Sequence, residues 1–147
     1  MITNIHIQAE DFELADEIEA LTTDATGAVA SFIGTVRGGG DLEALVLEHY
    51  PGMTEREIGR IVEEARARWA LEGVTVIHRI GRLELGARIV LVAVAAAHRG
   101  SAFEACQFVM DYLKTSAPFW KQEERGGEAH WVAARESDGA AAARWGK

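Results

Sequence analysis

The sequence predicts an α+β fold, and three observations predict it. Strand-like and helix-like segments are interleaved along the whole chain. Two helical segments open on capping-box signatures, Thr54-Glu55-Arg56-Glu57 and Ser101-Ala102-Phe103-Glu104. Neighbouring strand segments are separated by short glycine-containing stretches of the kind found in hairpins.

The elements follow in order. Ile2 to Ile7 alternate as a short strand does. Leu14, Ile18 and Leu21 then recur at helical spacing. Ala28 to Val36 reads as a strand, with Phe32 and Val36 on one face and Val29 and Ile33 on the other. Apolar residues on both faces predict a central place in a sheet. Gly38-Gly39-Gly40 is a flexible loop, and Leu42 to Tyr50 reads as the next strand, expected to pair antiparallel with the one before. Thr54 to Trp69 is a helix with an apolar stripe of Ile58, Ile61, Val62, Ala65 and Trp69. Val74 to Ile80 is a strand, Arg82 to Gly86 a turn, and Arg88 to Ala97 a strand that is apolar almost throughout. A second capped helix is predicted from Ser101, burying Ala102, Ala105, Val109, Tyr112 and Leu113. It should end near Ala117, because Pro118 disfavours helical geometry in the residue before it. His130 to Arg135 reads as a last strand.

The chain has 147 residues, enough to bury a core without disulfides or structural metal. A single domain over residues 1–138 is expected, followed by an Ala-rich flexible tail over residues 139–147. Lysine and arginine number 15 against 23 aspartates and glutamates, for a formal charge of −8. That balance argues against nucleic acid and against an anionic membrane surface as main partners. The longest apolar run, Ile89 to Ala97, has nine residues, and a membrane helix needs about twenty. No N-terminal stretch has the order of a signal peptide, so a cytoplasmic location is expected. The lone Cys106 excludes an internal disulfide. His6, His49, His78, His98 and His130 have no metal-ligand spacing, so no metal is expected.

Candidate chemistry gathers at a few basic residues. At His98-Arg99-Gly100-Ser101 a buried strand gives way to a helix, whose unpaired N-terminal amides favour anions. An arginine fork there can bind a phosphate in bidentate fashion. The plainer reading makes both residues solvated strand-end groups. Lys114, in the last turn of the second helix, either complements the helix dipole or acts in catalysis. Lys121 follows Pro118-Phe119-Trp120, where apolar neighbours and other cations can tune an amine. Arg37 stands at a strand end beside the glycine loop, a common place to grasp an anionic ligand. Gly38-Gly39-Gly40 lacks the spacing of a phosphate-binding loop. Cys106 lies too far into its helix to be activated by the N-terminus, and reads as a small buried hydrophobe.

Several ordered phrases together resemble one family. Leu47-Glu48-His49-Tyr50-Pro51-Gly52-Met53, Val76-Ile77-His78-Arg79-Ile80-Gly81, Ala97-His98-Arg99, Met110-Asp111-Tyr112-Leu113-Lys114, Ala117-Pro118-Phe119-Trp120-Lys121 and Ala134-Arg135-Glu136-Ser137-Asp138 are similar to the large, catalytic subunit of molybdopterin synthase. The resemblance runs from about Ala28 to Trp145. It implies an α/β hammerhead type of fold with an additional antiparallel β subdomain. It implies a homodimer at the core of a heterotetramer, with each copy binding a ubiquitin-like sulfur-carrier small subunit. The carrier's C-terminal thiocarboxylate would deliver sulfur to cyclic pyranopterin monophosphate, forming the dithiolene of molybdopterin. No further cofactor is implied. This chain ends Arg144-Trp145-Gly146-Lys147 and is not the Gly-Gly-terminated carrier.

By the same resemblance, substrate-binding positions match Thr35, Val36, Arg37, His98, Arg99, Lys114, Lys121, Gln122 and Glu123, with Lys114 and Lys121 catalytic. Arg135 matches a residue contributed across the dimer. The chain departs from the family in two places. The loop after Arg37 is short and glycine-rich, and Gln122 stands where a basic residue is frequent. Two other readings compete: a docking module for a ubiquitin-like protein without turnover, and an unrelated phosphate-ester enzyme that needs no carrier.

Overall fold

The computed structural model describes residues 1–132 and 143–146. Among these the order is β1 (Ile2–Gln8), α1 (Leu14–Leu21), β2 (Ala28–Thr35), β3 (Leu42–His49), α2 (Met53–Arg68), β4 (Gly73–Arg79), β5 (Gly81–Glu84), β6 (Arg88–Ala96), α3 (Arg99–Thr115), β7 (Phe119–Arg125) and β8 (Glu128–Trp131). The strands form two four-stranded sheets, β1-β4-β6-β2 and β5-β3-β7-β8. Only β1 and β4 run parallel; every other pairing is antiparallel. The predicted α+β class is what the chain adopts.

β6 organises the first sheet. Val90, Val92, Val94 and Ala96 pack from one face into a core with α2 and α3. Leu91, Ala93 and Ala95 point the other way, to Phe12 and Leu21 around α1. Because helices cover both faces, the strand reads as one continuous apolar run. α3 supplies Phe108, fully buried, and α2 supplies Ile58, Ile61 and Val62 from its predicted stripe. The second sheet has its own smaller core of Val36, Leu45, Leu47 and Leu83.

Several expectations are corrected. β2 is not central; it is the edge of its sheet and pairs only with β6. Ala28 and Ala30 pack on one core and Val29 and Ile33 on the other, while Phe32 is exposed, and such face contacts say nothing about neighbours at the strand's side. β2 and β3 are not a hairpin. The glycine loop carries the chain from one sheet to the other, and Val36 instead bonds to the β5–β6 turn, with its N–H to Ala87 O at 2.9 Å. The segment expected as a turn at Arg82 contains β5, an edge strand held by buried Leu83, and the turn itself is confined to Leu85-Gly86.

The two capping boxes also differ. In α2 half of such a box forms, two residues earlier: the N–H of Gly52, at φ +85°, donates to Glu55 Oε1 at 2.8 Å, and glycine has no side chain to return the bond. A glycine reaches that backbone region without strain, so it takes the turn. Thr54 is thereby released to a different task. It is fully buried, accepts the Tyr50 N–H at 2.9 Å, and donates to Pro118 O at 2.8 Å. α3 begins at Arg99 rather than Ser101, with His98 at its cap and no side-chain cap bond, so the Ser101–Glu104 box does not form.

β7 was not anticipated, and β8 ends at Trp131; the remainder of the strand expected to Arg135 lies outside the described residues. The expected tail is described only over residues 143–146, and there it is docked. Trp145 packs edge-on against Trp69 and Phe108, and its Nε1 donates to Asp111 Oδ2 at 2.7 Å. Those contacts are of the kind a large aromatic ring makes when it packs edge-on with a satisfied N–H.

Candidate active site

A cavity of about 770 Å³ opens between the two sheets. Three separate elements bring cations to it. Arg37 comes from the end of β2, Lys114 from the last turn of α3, and Lys121 from β7. Thr35, Glu123 and Arg125 also line it, as do Gly38, Gly39 and Gly40. Four cations face one carboxylate, so the cavity favours an anionic ligand.

Strand alternation explains which β7 residues take part. Phe119, Lys121, Glu123 and Arg125 lie two apart and line the cavity. Trp120 and Glu124 point to the other face, where Trp120 meets Trp131 and Glu124 accepts from Arg82 Nε at 2.9 Å. Gln122 shares that face and does not line the cavity. The missing positive charge at Gln122 therefore leaves the pocket unaltered. Arg125 was missed by sequence reasoning. It donates to Glu123 Oε1 at 2.9 Å, to Asp41 Oδ1 at 3.0 Å and to Gly39 O at 3.3 Å, tying the glycine loop to β7. Once Lys121 and Glu123 are placed on a strand, the i, i+2, i+4 pattern finds it.

Val36 is buried in the core of the second sheet, so its side chain does not face a ligand. His98 and Arg99 stand exposed at the N-terminal end of α3, and Lys114 at the other end. Arg99 and Lys114 stand fifteen positions apart along the helix, a span of about 22 Å. Within one chain this pair therefore does not join the cavity. Arg99 instead borders a shallow cleft with Ala28, Ala30, Ala102 and Phe103, beside the open edge of β2. Phe32 and Phe103 are both exposed there. Arg135 lies outside the described residues.

His78 is a cavity residue that its sequence position did not flag. Its ring stacks on Phe119, with centroids 3.8 Å apart and planes at 19°. Burial pushes its pKa down from 6.5 to about 4, so it is neutral at pH 7. Cys106 is buried against β6, with Sγ donating to Val92 O at 3.6 Å, and burial raises its thiol to about 11. It is a packing residue, as expected. Among the described residues, no cluster of three His, Cys, Asp or Glu groups could hold a metal ion. No helix among them is long and apolar enough to cross a membrane.

Fold and site together define a two-sheet α+β protein built around an open, cationic, anion-accepting cavity. Comparison with known proteins narrows this. The family model described as MoaE protein matches residues 7–116, and the chain belongs to that family. The molybdopterin synthase catalytic subunit of Mesorhizobium japonicum is 57% identical over 146 residues, covering 96% of this chain and 92% of that protein. The subunit of the same description from Escherichia coli is 54% identical, covering 97% and 98%. Among solved structures, the molybdopterin biosynthesis MoaE protein from Burkholderia ambifaria superposes with a TM-score of 0.87 at 50% identity, covering 99% of each chain. The family indicated by the sequence motifs is the family found.

Proposed function

We propose that this chain is a sulfurtransferase acting as the catalytic subunit of molybdopterin synthase. It moves sulfur from the C-terminal thiocarboxylate of a ubiquitin-like small subunit to cyclic pyranopterin monophosphate, forming the dithiolene of molybdopterin. The observation that carries this is the convergence of Arg37, Lys114 and Lys121 from three elements on one cavity. The substrate is a cyclic phosphate and the donor a thiocarboxylate, and both are anions.

The residues divide the work by position. Arg37, a planar fork at the cavity edge, clamps the phosphate. Lys114 holds the thiocarboxylate and stabilises the charge that develops on its carbonyl oxygen as sulfur leaves. Lys121 moves the proton during sulfur addition and ring opening. Thr35 and Glu123 line the same cavity. The nucleophile is the carrier's own sulfur, so the inert Cys106 is no obstacle and no cofactor is needed.

His98 and Arg99 reach a cavity only from a second copy. A homodimer seated on the open β2 edge and the exposed Phe32 and Phe103 would present that pair, and Arg135 with it, to the neighbouring cavity. Two such copies, each with one carrier, make the heterotetramer. The enzyme works in the cytoplasm, with neither nucleic acid nor membrane as partner.

The test is reconstitution. The purified chain, a thiocarboxylated carrier and cyclic pyranopterin monophosphate are mixed, and dithiolene is assayed. Product is expected. Its absence with verified, folded components contradicts the proposal.

A further inference from the structure

His78 differs from the other polar residues of the cavity in being a buried, uncharged ring. It lies near the end of β4, in the first sheet, while Phe119 opens β7 in the second. These two strands share no backbone ladder. The stack between their rings is a side-chain bridge from sheet to sheet, and stacked rings hold their partner in orientation as well as in distance.

The start of β7 is laddered to β3, with Phe119 opposite His49 and Lys121 opposite Leu47, and the bridge ties that end of the ladder to the first sheet. Phe119 lies two residues before Lys121, on the same face of the strand. The residue before it, Pro118, is held through its carbonyl by buried Thr54. Lys114 belongs to α3, which ends at Thr115, so only residues 116–118 separate that helix from β7. Where β7 begins therefore sets where Lys121 stands relative to Lys114.

The ring that stacks is neutral. Its Nδ1 lies 2.9 Å from Arg79 O, and a carbonyl oxygen only accepts, so Nδ1 carries the proton. The titratable groups that bear on it from other elements are Lys114 of α3 and His49 of β3, and both oppose a second proton.

We propose that His78 is a positioning residue for sulfur transfer: by stacking on Phe119 it joins the two sheets and sets Lys121 against Lys114. The inference rests on the reading that these two lysines act together in one reaction.

The experiment is a double-substitution cycle on the chain assembled with thiocarboxylated carrier and cyclic pyranopterin monophosphate. His78→Ala and Phe119→Leu are each expected to lower kcat about a hundredfold, since a displacement near 1 Å can cost that much. KM should change less than about threefold, because Arg37 and Lys114 still bind the anions. The double variant should fall no more than about threefold below either single one, because both remove the same contact. His78→Phe, which keeps a stacked ring, should return to within about fivefold of wild type. Additive losses in the double variant, or His78→Ala at the wild-type kcat, overturn the proposal. Should His78→Ala not fold, His78→Phe decides: a folded but inactive protein overturns it. Wild-type protein that makes no product tells against the sulfur-transfer reading instead.

Discussion

β6 and β7 are both inner strands, each paired on two sides within a four-stranded sheet. Yet β6 carries no charge between Ile89 and Ala96, and β7 carries four in seven residues. The ladder is the same kind of ladder in both. What differs is the faces. Helices cover β6 above and below, and an uncompensated charge there would be expensive. β7 turns one face to an open cavity and the other to Trp131 and Arg82, where charges find partners or water. The first sheet holds the larger core, and the second turns a charged face to the cavity that residues of both layers line.

That contrast can be broken by substitution, and the largest effect belongs to the first sheet. Phe108→Ala empties the fully buried site between α3 and α2 and should cost about 3–5 kcal/mol of stability. Denaturant unfolding checks this, and a loss below 1 kcal/mol would mean the helix layer is not the main core. Arg37→Ala should leave stability near wild type, since the side chain is exposed. It should weaken substrate binding about ten- to a hundredfold, the worth of one charge-assisted hydrogen bond. Calorimetric titration with the cyclic phosphate substrate measures it, and unchanged affinity would remove Arg37 from the clamp.

Trp145→Ala tests whether the C-terminal anchor belongs to the first-sheet layer. Removing a half-buried ring from Trp69 and Phe108, with its bond to Asp111, should cost about 1–2 kcal/mol, less than a fully buried aromatic. No change in Tm would place that residue outside the core. The smallest effect is the pH dependence of Asp11. Its hydrogen bond from Arg88 holds the carboxyl below the ordinary 3.8. A depressed carboxyl contributes stability above its unfolded value and loses it as pH falls through the folded one. The pair is exposed, so Asp11→Asn should cost less than about 1 kcal/mol at pH 7. The gap between the two Tm values should narrow as pH drops below about 4. A gap that widened in acid would reverse the assigned sign.

The same contrast explains what the sequence made legible. β6 and α2 were readable because burial imposes a run or a stripe on residue type. β7 was not, because a strand facing a polar cavity has no reason to alternate apolar with polar. The edge position of β2 was invisible for a related reason: face coverage is written in the side chains, whereas lateral pairing is a property of the backbone. Lys114, Lys121 and Arg37 stood out by position in the sequence, Lys114 and Lys121 also lie in family phrases, and the fold brings all three to one cavity. Arg125 needed the assignment of β7 first, whereas His78 sits on a strand the sequence shows and became a cavity residue only through the packing of the two sheets. His98 and Arg99 were grouped with that site in sequence, but α3 holds them about 22 Å from Lys114.

The cavity between the sheets is proposed to carry the reaction, and the first sheet the stability. The most direct measurement is the rate of dithiolene formation per folded molecule for Lys114→Ala against wild type, with unfolding curves recorded on the same samples. The account predicts a loss of about a hundred- to a thousandfold in rate, the scale of losing one group that stabilises developing charge, with an unchanged unfolding midpoint. A folded Lys114→Ala protein turning over at the wild-type rate would contradict it.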